Sequence, residues 1–366
     1  MAQGFAQWGN DLYTGRRSYA IVGRRRIWYA ISAVLVVLSV VFLIKPGLNP
    51  GIEFRGGQEF DIASTANPDQ QLAVDTVQSI APGEAPEVTT VGKSGLRIQT
   101  SQLTADQVQQ VKDALKTAFD VDDSKVSAEY IGPTWGADIT KKAVTGIIVF
   151  LIFVTAVMTI YFRNWRMAVA GLIALFHDLI ITVGIYAAVG WEVTPATVIG
   201  FLTILGYSMY DTVVVFDKVR ENTADTLDQT RFTYAEKANL AVNQTLVRSI
   251  NTSVVALLPV AAILFVGAFV LGTGTLRDIA LALFVGMLVG TFSSIFLATP
   301  LEVSLRERET AISAHTRKVL TARAARPAGD DVSQVELAGV THSAGQLRPG
   351  SHQGQGAQPK RRKPTR

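Results

Sequence analysis

Long apolar runs alternate with short polar links over most of this 366-residue chain. Six runs reach or approach the roughly 17–25 residues that carry a helix across a bilayer. They are 27–44, 143–162, 167–189, 196–216, 250–271 and 279–299. The first has a long apolar core, and Lys45, Pro46 and Gly47 follow it instead of a small-x-small cleavage site. It therefore reads as a retained span and not as a cleaved signal peptide.

The pattern changes in 45–142, where no run is long enough to span. Segment 53–62 reads as a strand with the glycines of FRGG near its start. Segment 69–80 has helical spacing through Ala73, Val77 and Ile80. Short strands at 87–91 and 96–99 flank a turn, and 105–119 puts Val108, Val111, Leu115 and Phe119 on one helix face. A last strand covers 125–131. The order β-α-β-β-α-β is that of a ferredoxin-like unit, with both helices expected on one face of the sheet. The fold class expected is thus an α-helical membrane protein: six transmembrane helices, with a ferredoxin-like α+β external domain between the first and second.

Charge orients this arrangement. Arg16, Arg17, Arg24, Arg25 and Arg26 precede the first span, and Arg163 and Arg166 fill the link between the second and third. Lys218, Arg220, Arg231, Lys237 and Arg248 surround the link between the fourth and fifth, and Arg306 and Arg308 follow the sixth. All four groups fall on one side of a six-span arrangement, which the positive-inside rule assigns to the cytoplasm. Residues 1–26 and 302–366 are then cytoplasmic, and 45–142 lie outside. The stretch from about 306 is rich in Ala, Gly, Gln, Pro, Ser and Thr and ends PKRRKPTR. It reads as a largely disordered basic tail, dispensable after about residue 310.

Composition narrows the chemistry. Charged residues make up 17% of the chain, against about 25% in soluble domains. The absence of cysteine excludes disulfides, zinc-thiolate sites and cysteine nucleophiles. Gly92-Lys93-Ser94 ends like a phosphate-binding loop, but Glu87 stands where that motif needs its first glycine, so a hairpin turn is the reading. Neither a bound metal nor any other cofactor is expected.

The polar groups inside the spans carry the candidate function. Asp211 lies within ATVIGFLTILGYSMYDTVVVF, 196–216, about 22 Å from the outer end at 1.5 Å per residue. A charge there costs roughly 2.5–3.5 kcal/mol on insertion scales and marks a functional position by default. Thr203, Tyr207, Ser208 and Asp211 recur at helical spacing. The fifth span opens NQTLVRSINTS, and Arg248, Asn251 and Thr252 share a face. Arg248 matches Asp211 in depth and is the expected partner, giving a proton relay of the two. The plainer alternative is a static ion pair. His177 and Asp178 sit mid-way in the third span, about 100° apart as neighbours on a helix. They are read as part of a secondary polar network with Ser208, Tyr207, Asn251 and Thr252, and not as one dyad. One His beside one Asp offers too few ligands for a metal.

GIEFRGG after the first span, FHDLIITVGIYA in the third, LGYSMYDTVVVFDKVREN in the fourth and NQTLVRSINTS in the fifth together resemble the SecF family. That family is the smaller partner in the SecD–SecF complexes of bacterial protein export. The resemblance covers about residues 15 to 306. It implies half of a resistance-nodulation-division type architecture, completed by SecD, in the plasma membrane. It also implies use of the proton-motive force to draw an unfolded preprotein out of the SecYEG channel after SecA-driven insertion. YajC- and YidC-type accessory proteins and the lipid bilayer are further implied partners, and no specific nucleic acid is. The family's intramembrane aspartate falls on Asp211 and its arginine on Arg248. Tyr210 stands where the family often has asparagine, and Glu53 and Arg55 where Asp and Thr are common. An autonomous exporter, a membrane enzyme and a static scaffold are the competing readings. A single six-span half disfavours the exporter, and no catalytic constellation supports the enzyme.

Overall fold

The computed structural model describes residues 2–92, 94–266 and 274–325. Lys93 of the expected hairpin turn and the PKRRKPTR stretch lie outside the described residues. Among the described residues, six helices are long and apolar enough to cross a membrane. They begin or end beyond the apolar runs: α2 is Arg25–Ile44, α6 Pro133–Phe162, α7 Trp165–Val189, α8 Pro195–Thr223, α9 Tyr234–Ala262 and α10 Gly274–Ser293. A π-helical turn, Ser294–Ala298, carries α10 directly into α11, Thr299–Arg306. A short helix α1, Ala2–Tyr13, precedes them.

Burial separates the spans into two classes. The apolar windows of α7, α8 and the α10–α11 span are 56%, 44% and 50% buried, against 11% for α2 and α6. The first three therefore form the interior of the bundle. Small residues set their approach. Gly200 faces Ala282 and Gly286 faces Ile204, so close that an added Cβ would lie 2.7 and 2.2 Å from those side chains. One turn further, Gly290 lies over Ser208. Residues four apart on both helices interlock, the arrangement that lets backbones pack closely where no hydrophobic drive separates helix from lipid.

The α+β domain follows α2. Strands β1 (Asn49–Pro50), β2 (Gly57–Ile62), β3 (Glu87–Val91), β4 (Gly95–Thr100) and β5 (Val126–Ile131) accompany helices α3 (Ile52–Arg55), α4 (Gln70–Ile80) and α5 (Ala105–Phe119). The sheet order β3-β4-β2-β5 is antiparallel throughout, and Phe60 pairs with Ile98 on one side and Ala128 on the other. Both longer helices start at side-chain caps: Asp69 accepts from the Gln71 and Leu72 amides, and Thr104 forms a capping box with Gln107. Phe60, Ile62, Leu96 and Ile98 from the sheet meet Ala73, Val77, Val111 and Leu115 in one core. The ferredoxin-like expectation holds here. One segment differs: 52–55 is a helical turn, and the strand begins only at Gly57. Gly56 at φ 78° ends that turn, a left-handed position that glycine occupies without strain.

A second difference concerns the segment after the last span. Thr310–Ala324 forms a helix, α12, that buries Ile312, His315 and Val319. The Nε2 of His315 lies 2.6 Å from the Gln229 carbonyl, and Arg323 pairs with Glu236 at 2.7 Å. This part of the expected disordered tail is thus a helix that clasps the link between α8 and α9. The N-terminal segment also holds α9. Asn243 accepts from the Tyr19 amide, and Asn239 from the Val22 amide.

Candidate functional site

Two carboxylates lie buried in the α7–α8–α10 interior. Asp211 on α8 is 4% exposed and Asp178 on α7 is fully buried. Both are held by serines. Asp211 accepts from Ser249 Oγ of α9 at 2.8 Å and from Ser294 Oγ. Asp178 Oδ2 accepts from Ser208 Oγ at 2.5 Å and from Ser293 Oγ at 2.7 Å. The adjacent serines 293 and 294, at the junction of α10 with the π turn, therefore serve one acid each. Ser208 lies one turn before Asp211 on α8, so that helix also touches both sites.

Arg248 stands elsewhere. It is exposed, as is Asn251, while Ser249 and Ser253 form the buried edge of α9. No hydrogen bond or ion pair joins Arg248 to Asp211 among the described residues. Since Ser249 is its neighbour, Arg248 is at the depth of the acid but turned away by one residue, about 100° around the helix. The expected pair is not formed in this arrangement, and a hydroxyl occupies its place. Thr252 is half-buried. The polar stripe expected on α8 also divides: Ser208 and Asp211 point inward, Tyr207 is half-buried, and Thr203 is exposed, its hydroxyl turned back to the Ile199 carbonyl.

His177 and Asp178 do form a pair, against the expectation that neighbours on a helix diverge too far. His177 Nδ1 lies 3.0 Å from Asp178 Oδ1. The 100° between successive Cβ directions is bridged because both side chains bend toward the same interior. The imidazole is buried and stacks on Phe292, with ring centroids 6.5 Å apart.

The residues that sequence reasoning missed are Ser249, Ser253, Thr291, Ser293 and Ser294. Thr291 Oγ1 donates to Ser253 Oγ at 2.8 Å, continuing the hydroxyl seam between α9 and α10. The signal was present as serines four apart on α9 and as the run GTFSS on α10. Hydroxyls are so common in transmembrane helices that neither pattern stands out without knowing which faces meet.

A second charged cluster joins the α+β domain to the bundle. Strand β1 pairs in parallel with β6, Glu192–Val193, in the link between α7 and α8. Gln99 Nε2 donates to Glu59 at 3.0 Å and to Glu192 at 2.8 Å. Burial pushes the Glu59 carboxyl up to about 7; Asp61 and Glu53 add to this, while Arg97 opposes it. Burial also raises Glu192.

Residues 110–308 match the family "Protein export membrane protein SecD/SecF, C-terminal". The chain belongs to the SecD/SecF family. Relatives include the protein translocase subunit SecF of Streptomyces coelicolor, 49% identical over 86% of this chain and 84% of that one. The subunit of the same name from Mycobacterium tuberculosis is 42% identical over 97% and 87%. Among solved structures, SecDF of Thermus thermophilus, a translocon-associated membrane protein, superposes with a TM-score of 0.70 at 30% identity over 80% of this chain. SecDF in a super-membrane-facing form gives 0.58 at 28% identity. The chain spans 39% of the Thermus SecDF chain. It is a multi-pass membrane protein of a translocase-subunit family that serves protein export. Its relatives are named as translocase subunits and not as enzymes.

Proposed function

We propose that this SecD/SecF-family chain works with a SecD partner in the bacterial plasma membrane, using the proton-motive force to complete preprotein translocation through SecYEG. In this reading Asp211 carries the proton, and both termini are cytoplasmic. The observation that carries it is a buried intramembrane carboxyl held by hydroxyls alone, with an arginine at the same depth facing away. A hydroxyl can donate to a carboxylate or accept from a protonated carboxyl. The serine cradle of Asp211 can therefore satisfy the protonated carboxyl and still donate to it as the proton leaves.

The alternation follows from the geometry. Neutral Asp211 is satisfied by Ser249 and Ser294. Once the proton leaves, a bare carboxylate in a low-dielectric interior needs a cation. Arg248 is supplied by a rotation of α9 of about 100°, or by swinging of its long side chain. Each proton cycle would thus displace α9 against α8, and with α9 the N-terminal segment and α12 that clasp it. The SecD partner is supported by the SecDF relatives, in which matching sequence forms 39% of a longer chain. It is also supported by exposed polar groups at membrane depth, Arg248 and Asn251 on α9 and Tyr210 on α8. Such groups are seldom left facing lipid.

The test is preprotein release from vesicles holding the complex, with and without an imposed proton gradient. Asp211→Asn should preserve assembly with SecD and abolish the gradient-dependent fraction. Arg248→Met should impair it, and Arg248→Lys should restore only part, because an ammonium lacks the planar guanidinium fork. A gradient response of Asp211→Asn equal to that of the unaltered chain would overturn the relay and leave the site structural.

A further inference from the structure

His177 lies midway along α7 (Trp165–Val189), about 18 Å from either end at 1.5 Å per residue. Its Nδ1 is engaged by Asp178, yet its Nε2 is buried with no hydrogen-bond partner among the described residues. An imidazole with Nδ1–H directed at a carboxylate keeps an acceptor lone pair on Nε2. A buried polar atom left unpaired costs about 1–3 kcal/mol, so its persistence asks for a use. What Nε2 can take is a proton. The resulting imidazolium would be offset directly by Asp178, 3.0 Å away.

The surroundings favour this small, transient ligand. Asp178 Oδ2 already accepts from Ser208 and Ser293. Gly290 closes the site from α10, where a Cβ would lie 3.0 Å from Ser208 Cβ and 3.6 Å from Asp178 Oδ2. The described residues hold no cluster fit for a metal ion. Other charges are remote along the helices packed against α7. Those of α2 (Arg25, Arg26, Tyr29) and α11 (Glu302, Arg306) lie at one end of the bundle. Those of α10 (Arg277, Asp278) lie at the other, and α6 has none between Lys142 and Tyr161. Only α8 brings titratable groups to mid-depth, Tyr207, Tyr210 and Asp211.

We infer that His177 and Asp178 form a second proton-binding pair, tied to Asp211 by the adjacent serines 293 and 294. The proton adds to the Nε2 lone pair, Nδ1 keeps its hydrogen, and no other bond changes. Because one backbone segment presents a hydroxyl to each acid, a shift that releases Ser294 from Asp211 also draws Ser293 from Asp178. Occupancy of one site thereby biases the other. This deepens the proton-driven reading above and rests on it only for its role in export; proton binding itself is measured separately.

The experiment follows the protonation of His177 by 15N NMR in the full chain with SecD in nanodiscs, the probe being the proton, across about pH 5–8. The chain has 4 histidines, and the signal lost in His177→Gln identifies the one sought. Asp178→Asn should lower the proton affinity of His177 about tenfold or more, by removing the opposite charge. Ser293→Ala should shift it in a chain that still assembles with SecD, and serves as the second variant where Asp178→Asn fails to fold. His177→Gln should move the pH profile of gradient-driven export. Asp211→Asn should shift the midpoint without eliminating His177 protonation. A His177 midpoint unmoved by both Asp178→Asn and Ser293→Ala overturns the inference, as does a ring that stays neutral throughout. If His177 titrates as expected while Asp211→Asn still responds to the gradient, the export reading fails and the pair stands.

Discussion

At the scale of single residues, the site depends on hydroxyls more than on countercharges. Ser249 and Ser294 each donate to Asp211. Replacing either by alanine should destabilise the bundle by about 1–3 kcal/mol, the cost of leaving a buried polar group without its partner. Unfolding in mild detergent measures it. Ser253→Ala, whose hydroxyl accepts from Thr291 and touches neither acid, should cost about 1 kcal/mol or less. Equal losses for all three would mean that Asp211 is not what the serines support. Gly290→Ala should cost about 1–3 kcal/mol by overpacking against Ser208. Asp211 was legible in the sequence because an acid inside an apolar run has no ordinary explanation. Its immediate partner was not. Arg248 and Ser249 are neighbours at one depth, and only the rotation of α9 decides which meets the acid. Charge complementarity favours the arginine, and packing presents the serine.

Among the elements, the α+β domain could be read in advance because its strands and helices differ in period and each helix carries its own cap. The turn at 52–55 could not, since glycines flanking a four-residue segment fit a strand start as well as a helical turn. The domain should respond to pH through Glu59. Its folded-state carboxyl sits at about 7, above the ordinary glutamate value of 4.5. Between those values the folded state binds more protons than the unfolded one, so stability is greatest at low pH and falls as pH rises through this window. Glu59→Gln should flatten that slope and slow exchange of β2 and β4 amides above about pH 7, read by hydrogen exchange in the full chain. A slope unchanged by the substitution would assign it to another group. α12 was missed because it buries only three side chains through an otherwise polar helix, a pattern too sparse for periodicity to expose. Its docking changes the expectation for truncation. Removing 326–366 should leave assembly intact, whereas removing 310–366 should loosen the link between α8 and α9 and lower the yield of complex with SecD. Equal yields from the two truncations would make the clasp dispensable.

For the whole molecule, the exposed polar residues Arg248 and Tyr210 are the expected contacts of the SecD partner. A photo-crosslinking residue at Tyr210 should capture SecD, while one at Phe153, also exposed but on α6, should capture lipid. SecD adducts from position 153 alone would move the interface to the other side of the bundle. The π turn at Ser294–Ala298 has a further consequence. It holds one residue more than an α-helical turn needs. Relaxing it to α would rotate α10 against α11 by about 100°, a step of fixed size. The serines at its rim then behave as two lugs of a bayonet fitting cut into one sleeve. Neither can be withdrawn alone. The bundle would have a locked and an unlocked position with nothing stable between, and a reporter placed at either acid would register the same click.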